Sequence, residues 1–140
     1  MGFSEEDYNF LSAKIIEACI DVHKELGPGL LESVYEVCTI AVLKKSGMQV
    51  ESQVRLPVFF KGELLEKDFI IDILVENRIV LELKAVDGIL PIHEAQLVTY
   101  LKLSNKKLGL LINFNVPLLI QGVRRKINGN LNAEQLLKTL

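Results

Sequence analysis

The stretch FIIDILV at residues 69–75, followed after a turn at residues 76–78 by IVLELKA at residues 79–85, decides the fold of this chain. Both stretches are nearly continuous apolar runs, a pattern typical of central strands that are buried on both faces. They nevertheless contain three ionisable side chains, Asp72, Glu82 and Lys84. Ionised groups inside a sheet are costly unless they are paired or bind a metal. The two carboxylates and the ammonium therefore indicate a cation site with a catalytic lysine.

The sequence around these strands predicts one domain over residues 1–140 with the order α-α-β-β-β-α-β-β-α. Apolar periodicity and turn residues give the expected bounds. The helices are expected at about 4–26, 31–46, 93–103 and 132–140, and the strands at 50–60, 67–75, 79–85, 107–113 and 118–127. This order predicts an α/β (α+β-like) fold, a mixed β-sheet flanked by helices, with a parallel crossover between the third and fourth strands.

The second predicted helix shows apolar residues on one side. They are Leu31, Val34, Val37, Cys38, Ala41 and Val42. The first helix is expected to begin at Ser4, whose side chain can form a capping box with Asp7.

Composition excludes several classes of protein. Apolar residues make up 49% of the 140 residues, enough for a packed core without disulfides, and the two cysteines have no metal-binding spacing. A net charge of −2 does not indicate a general nucleic-acid binder, so contact with a polyanion would need a local basic surface such as residues 124–126 or Lys102, Lys106 and Lys107. The acidic residues 2–7 do not resemble a signal peptide, and no apolar run reaches the roughly 18 residues that span a bilayer. We expect a cytoplasmic protein with no membrane segment.

Glu82 and Lys84 lie two residues apart on one strand and therefore point to the same face. If Asp72 lies at the same level on the neighbouring strand, the three side chains converge. Mg²⁺ is typically bound by one or two carboxylates together with water and substrate phosphate. The alternative is a buried structural ion pair between Lys84 and one acid, which leaves the second carboxylate without a partner.

Two helices carry further candidates. His93, Gln96 and Tyr100 share one face of the third helix and could contact phosphate oxygens or water on a metal, although a histidine after Pro91 can equally cap the helix. Near the start of the second helix, Glu32 can share a face with Tyr35 and Glu36. Glu32 is either another acid of the cation site or a residue that favours the positive end of the helix dipole.

Taken together, Asp72, Glu82-Leu83-Lys84 and Gln96 with Tyr100 resemble the PD-(D/E)xK nuclease superfamily. The segment Gly29-x-x-Glu32-x-x-Tyr35 resembles its GxxExxY branch of small single-domain proteins. Further matching segments are HEAQ at 93–96, YLK at 100–102, GLLINF at 109–114 and the arginine pair at 124–125. The resemblance covers about residues 10–127 and departs from the nominal motif in having no proline before Asp72. It implies a restriction-endonuclease-like core.

The resemblance also implies roles for the residues. Asp72 and Glu82 would ligate Mg²⁺ or Mn²⁺, helped by the Leu83 carbonyl, and Lys84 would act on the attacking water. The remaining implied participants are Glu32 at the metal site, Gln96 and Tyr100 in support of the site or the phosphate, and Tyr35, His93, Arg124 and Arg125 as substrate contacts.

The expected function is metal-dependent hydrolysis of phosphodiester bonds in DNA or RNA. One alternative is a catalytically inactive nuclease fold that binds nucleic acid or a protein partner. Another is an interaction protein in which the hairpin that begins with residues 50–60 forms a homodimer or extends a partner's sheet.

Overall fold

The structure, a computed structural model, describes residues 2–132, and within them it contains three α-helices and five strands. The helices are α1 (Glu5–Leu26), α2 (Glu32–Lys45) and α3 (Pro91–Ser104), and the strands are β1 (Val50–Phe60), β2 (Glu63–Val75), β3 (Ile79–Lys84), β4 (Leu108–Asn113) and β5 (Val123–Ile127). The order confirms the predicted mixed sheet flanked by helices. Apart from Asn132, the helix expected at 132–140 lies outside the described residues.

The sheet has the strand order β1-β2-β3-β4-β5. Among the strands of residues 2–132, only β3 and β4 pair in parallel, and α3 connects them, as the predicted crossover requires. Alternate residues of β3 face opposite sides of the sheet. Leu81 and Leu83 belong to the larger core, which also contains residues of α1 and α2, whereas Val80 belongs to a smaller core beneath α3. The two polar residues of β3, Glu82 and Lys84, follow Val80 in this alternation.

The first helix begins as predicted. Ser4 Oγ accepts a hydrogen bond from the Asp7 amide at 3.1 Å, and the Asp7 carboxyl accepts one from the Ser4 amide at 2.8 Å. This capping box satisfies two amides that a helix start otherwise leaves without partners.

Most of the apolar side noted for the second helix is exposed, and only Cys38 and Val42 of it pack partly against the core. Leu31 is 74% exposed and Val37 is 67% exposed, while Tyr35, Thr39 and Leu43 are fully buried. These three residues lie four apart and so form one stripe against the core. Thr39 is polar, and its presence in the stripe hides the buried face from a hydropathy pattern.

The last predicted strand is also shorter than expected. Residues Leu119–Gly122 form a 3₁₀ turn, and β5 begins only at Val123. A Cβ at Gly122 would lie 2.0 Å from the Asn113 carbonyl oxygen, so the chain passes β4 too closely for any side chain at this position. This close approach depends on tertiary contacts that a local pattern does not contain.

At the other edge of the sheet, β1 and β2 form a hairpin that is longer than predicted, because β2 begins at Glu63. None of the helices within residues 2–132 combines the length and apolar character needed to cross a membrane.

Candidate active site

Strands β2 and β3 separate at the two acids. Their ladder pairs Val75 with Ile79 and ends at the pair Ile73–Leu81. Beyond that pair the side chains bridge the gap: Glu82 Oε1 accepts a hydrogen bond from the Asp72 amide at 3.1 Å, and Asp72 Oδ2 accepts one from the Leu83 amide at 2.9 Å. Each carboxyl takes the place of a strand carbonyl, and the main chain therefore holds both acids in fixed positions.

The two carboxyls share a side-chain hydrogen bond, and apart from it no hydrogen-bond donor among residues 2–132 contacts Asp72 Oδ1 or Glu82 Oε2. A cation that binds these two oxygens would therefore displace the proton that the carboxyls share and no other donor among these residues.

The electrostatics of the pair favour an added positive charge. Burial, and then the neighbouring Asp72 charge, raises the pKa of Glu82 to about 9. Burial also raises the pKa of Asp72, although the Leu83 amide and the Lys84 charge oppose this shift. At neutral pH a proton on Glu82 consequently offsets part of the charge of the pair. A bound divalent cation would offset this negative charge in place of the proton.

Lys84 lies near the acids without forming an ion pair. Its charge lowers the pKa values of Asp72, Glu82 and Glu32. Within the described residues, however, no carboxylate oxygen lies within 4 Å of its ammonium. The buried structural ion pair that the sequence left open is therefore not formed, and the lysine remains able to interact with a substrate.

Two acids of α2 face the same region. Burial and the Asp72 charge raise the pKa values of both Glu32 and Glu36. Glu36 Oε1 accepts a hydrogen bond from Gln53 Nε2 at 2.6 Å. The Asp72 charge thus reaches both acids, although the described residues hold no cluster of three such side chains that could bind a metal together.

Gln53, whose side chain bonds Glu36, has an unusual backbone conformation that sequence reasoning did not predict. In β1 it lies opposite Asp72, between the pairs Ser52–Ile73 and Val54–Ile71, yet its φ is 52°. This left-handed conformation is strained for a residue other than glycine, and such strain is typical of functional sites. A glutamine in an edge strand is ordinary in composition, so only the backbone marks this position.

A cleft of about 530 Å³ lies beside Lys84 against α3. It is lined by Lys84, Phe69, Ile92, His93, Gln96, Thr99 and Tyr100. Burial, followed by the charges of Glu82 and Asp72, raises the pKa of Tyr100, which places its hydroxyl near the acids. The three residues predicted on one face of α3 therefore all reach this cleft.

Sequence reasoning did not identify Phe69 as a residue of the cleft. The one sequence feature that could have indicated it is its position on the same strand as Asp72. His93 serves α3 as well as the cleft, because His93 Nδ1 accepts a hydrogen bond from the Leu90 amide at 3.0 Å. The histidine is thus a helix cap, and its ring also lines the cleft.

The structure does not place Tyr35 where a phosphate could reach it. Tyr35 is fully buried, its hydroxyl donates to the Gly27 carbonyl at 2.6 Å and accepts from the Leu30 amide at 3.1 Å. Its ring stacks on Phe114 at 4.4 Å. The predicted substrate contact is thereby corrected: Tyr35 fixes the turn before α2 and so positions Glu32.

The basic residues of β5 form hydrogen bonds or an ion pair with groups outside the cleft. Arg125 donates to Asn9 Oδ1 at 2.7 Å, Arg124 donates to the Gln121 and Val123 carbonyls, and Lys126 pairs with Glu94 at 2.8 Å. None of the three lines the cleft. The predicted substrate contacts of Arg124 and Arg125 receive no support from this geometry.

The donor set suits a cation that keeps much of its water. Across residues 2–132 the structure has no cluster of three or more His, Cys, Asp or Glu side chains that could hold a metal. Mg²⁺ needs only one or two carboxylates, since water and substrate phosphates supply its other ligands. The hard oxygen atoms of Asp72 and Glu82 meet this requirement.

Comparison with known proteins identifies related sequences and folds. A family model described as the PD-(D/E)XK nuclease superfamily matches residues 9–126, which include Glu32, Asp72 and Glu82. A solved structure titled "Crystal structure of SSO0001" is similar with a TM-score of 0.50 and 23% sequence identity. The similarity covers 76% of this chain and 55% of that one, and at this identity it concerns the fold alone. No curated protein matches.

Proposed function

Because the chain belongs to the PD-(D/E)XK nuclease superfamily, we propose that it hydrolyses phosphodiester bonds of DNA or RNA with the help of Mg²⁺ or Mn²⁺. One observation carries the proposal. The half-buried carboxyl of Asp72 and the buried carboxyl of Glu82 are fixed by main-chain amides where β2 and β3 separate, beside a lysine that has no ion pair among the described residues.

In this proposal Asp72 and Glu82 hold the cation, with the Leu83 carbonyl as a further ligand and Glu32 acting directly or through water. A bound divalent cation would polarise the phosphate and lower the pKa of a bound water. The acids keep their positions without it, because the amides of Asp72 and Leu83 already hold them. Such preorganisation avoids rearrangement during the reaction.

Lys84 has two tasks that its position supports. Its ammonium can donate a hydrogen bond that orients the attacking water, and its charge offsets the negative charge that develops on the phosphate. The absence of an ion pair within the described residues leaves its donors available for this.

Gln96, Tyr100 and His93 lie along the adjoining cleft. The amide of Gln96 and the hydroxyl of Tyr100 can donate hydrogen bonds to phosphate oxygens, and the raised pKa keeps the Tyr100 hydroxyl protonated. The three side chains would therefore orient the substrate rather than bind the cation.

The hairpin supports a separate role in assembly. Phe59, Phe60 and Leu64 lie near its turn and are each at least 60% exposed. Exposed apolar residues at a sheet edge are typical of contact surfaces. Contact with a protein partner, or formation of a homodimer, would therefore use this hairpin and is compatible with nuclease activity.

A cleavage assay tests the proposed function. Labelled single-stranded DNA, duplex DNA, branched DNA and RNA are incubated with the protein in Mg²⁺, in Mn²⁺ and in EDTA. We expect at least one substrate to be cut only when a cation is present, and Asp72→Asn to reduce that rate at least about a hundredfold, since even the loss of residues that support metal ligands costs 10–100-fold. Equal cleavage by both proteins would indicate a contaminant, and no cleavage of any substrate would favour a binding role.

A further inference from the structure

The cleft beside Lys84 has the lining of a site for a flat, partly apolar group. Phe69 and Tyr100 lie on one side of it with ring centroids 5.7 Å apart and an angle of 53° between the rings. Ile92, at the start of α3, is 67% exposed. Aromatic and aliphatic side chains with a few polar groups are the usual lining of a site for a small organic group.

The cleft lies next to the position where the acids would bind a phosphate. Lys84 lines the cleft and lies two residues after Glu82 on the same face of β3. A phosphate bound at the acids would therefore have its neighbouring nucleotide next to Phe69, Gln96 and Tyr100. Gln96 supplies both hydrogen-bond donors and an acceptor, which the edge of a nucleobase can pair with.

The surface is poorly suited to binding the phosphate backbone of a duplex. The net charge is −2, and among the described residues Arg55 forms an ion pair with Asp68 and Lys126 one with Glu94. Lys106 and Arg125 are held by hydrogen bonds to Asn77 and Asn9, which leave their charges in place. Binding that depends on phosphate contacts alone needs many free cations. Stacking of bases on aromatic side chains supplies affinity without them.

We infer that the cleft receives an unpaired nucleobase next to the scissile phosphate, so that the substrate is single-stranded nucleic acid or an unpaired segment of a longer molecule. The inference rests on the proposed function for the phosphate but concerns a separate group of residues. In a duplex the bases are stacked and paired, and a base must leave the stack before it can enter such a cleft.

Binding measurements with Ca²⁺ in place of Mg²⁺ test the inference without relying on turnover. Fluorescence anisotropy is recorded with a labelled 20-nucleotide single strand of DNA, the same sequence as RNA, and the DNA duplex. The variant is Phe69→Leu, which keeps an apolar side chain against the core beneath α3 but removes the ring. Phe10→Leu, at an exposed ring on α1, is the matched control.

We expect Phe69→Leu to weaken binding of at least one single strand about tenfold and duplex binding by less than about twofold, because stacking contributes chiefly to unpaired bases. Phe10→Leu should bind like the wild type. Unchanged single-strand affinity in Phe69→Leu, equal losses for single strands and duplex, or failure of the wild type to bind single strands would overturn the inference.

The cleavage assay separates this result from the proposed function. If the wild type cleaves nucleic acid and Phe69→Leu does not change binding, the proposed nuclease activity stands and the proposed base site is wrong. If the wild type cleaves no substrate but Phe69→Leu selectively loses single-strand binding, the proposed base site stands and the proposed nuclease activity is wrong.

Discussion

Replacing Lys84 with alanine should reduce metal-dependent cleavage at least about a hundredfold, since removing one donor that stabilises transition-state charge typically costs 10²–10³ in rate. The same change should leave Mn²⁺ affinity unchanged or higher. The Lys84 charge lowers the pKa values of Asp72 and Glu82 and so faces the position that a cation would occupy. Removing it relieves repulsion between two positive charges.

Single-turnover cleavage rates and calorimetric Mn²⁺ titrations of the same preparation measure the two effects. Lys24→Ala, at an exposed position on α1, is the matched control and should behave like the wild type in both. If Lys84→Ala lost metal binding and cleavage together, the lysine would be supporting the carboxyl pair rather than acting on the substrate.

Replacing Glu82 with glutamine should stabilise the metal-free protein, and more so as pH rises. The folded state raises the pKa of Glu82 to about 9, from an ordinary value near 4.5, so between these values the folded protein binds more protons than the unfolded chain. Wild-type stability therefore falls as pH rises through this range. Glutamine has no proton to lose and escapes this cost.

We expect the advantage of Glu82→Gln to be small at pH 5 and at least about 2 kcal/mol at pH 8.5, since each unit of pKa shift corresponds to about 1.4 kcal/mol and relaxation reduces the total. Urea unfolding in EDTA at both pH values measures it. Glu17→Gln, on the exposed side of α1, is the control and should show no such trend. An advantage for Glu82→Gln that is equal at both pH values would contradict the account.

The fold was predictable where local pattern and burial agree. The apolar runs around Asp72 and Glu82 defined the central strands, and the crossover through α3 followed from the order of elements. The face of α2 was wrong because a polar residue, Thr39, lies in the buried stripe. The last strand was too long because the close approach of Gly122 to β4 is a tertiary contact.

The candidate site was predictable only in part, for a related reason. Spacing placed Glu82 and Lys84 on one face, and the structure brings Asp72, Glu32 and the α3 residues towards them. Periodicity does not encode how strands diverge in a sheet. It therefore could not predict the separation of β2 from β3, the strained backbone of Gln53 or the exposed side of Phe69. Tyr35 was misplaced because its spacing from Glu32 matches a shared face, while its hydroxyl is used by the preceding turn.

Asp72 and Glu82 are proposed to form a divalent-cation site, and a calorimetric titration of Mn²⁺ into the wild type and Asp72→Asn at pH 8 measures whether they do. Asparagine preserves the size of the side chain and an oxygen for the Leu83 amide, so the fold should persist, which circular dichroism would verify. We expect saturable binding to the wild type and affinity at least about tenfold weaker in the variant, the lower end of what changes near a metal cost. Equal binding by the two proteins, or none by the wild type, would contradict the proposal.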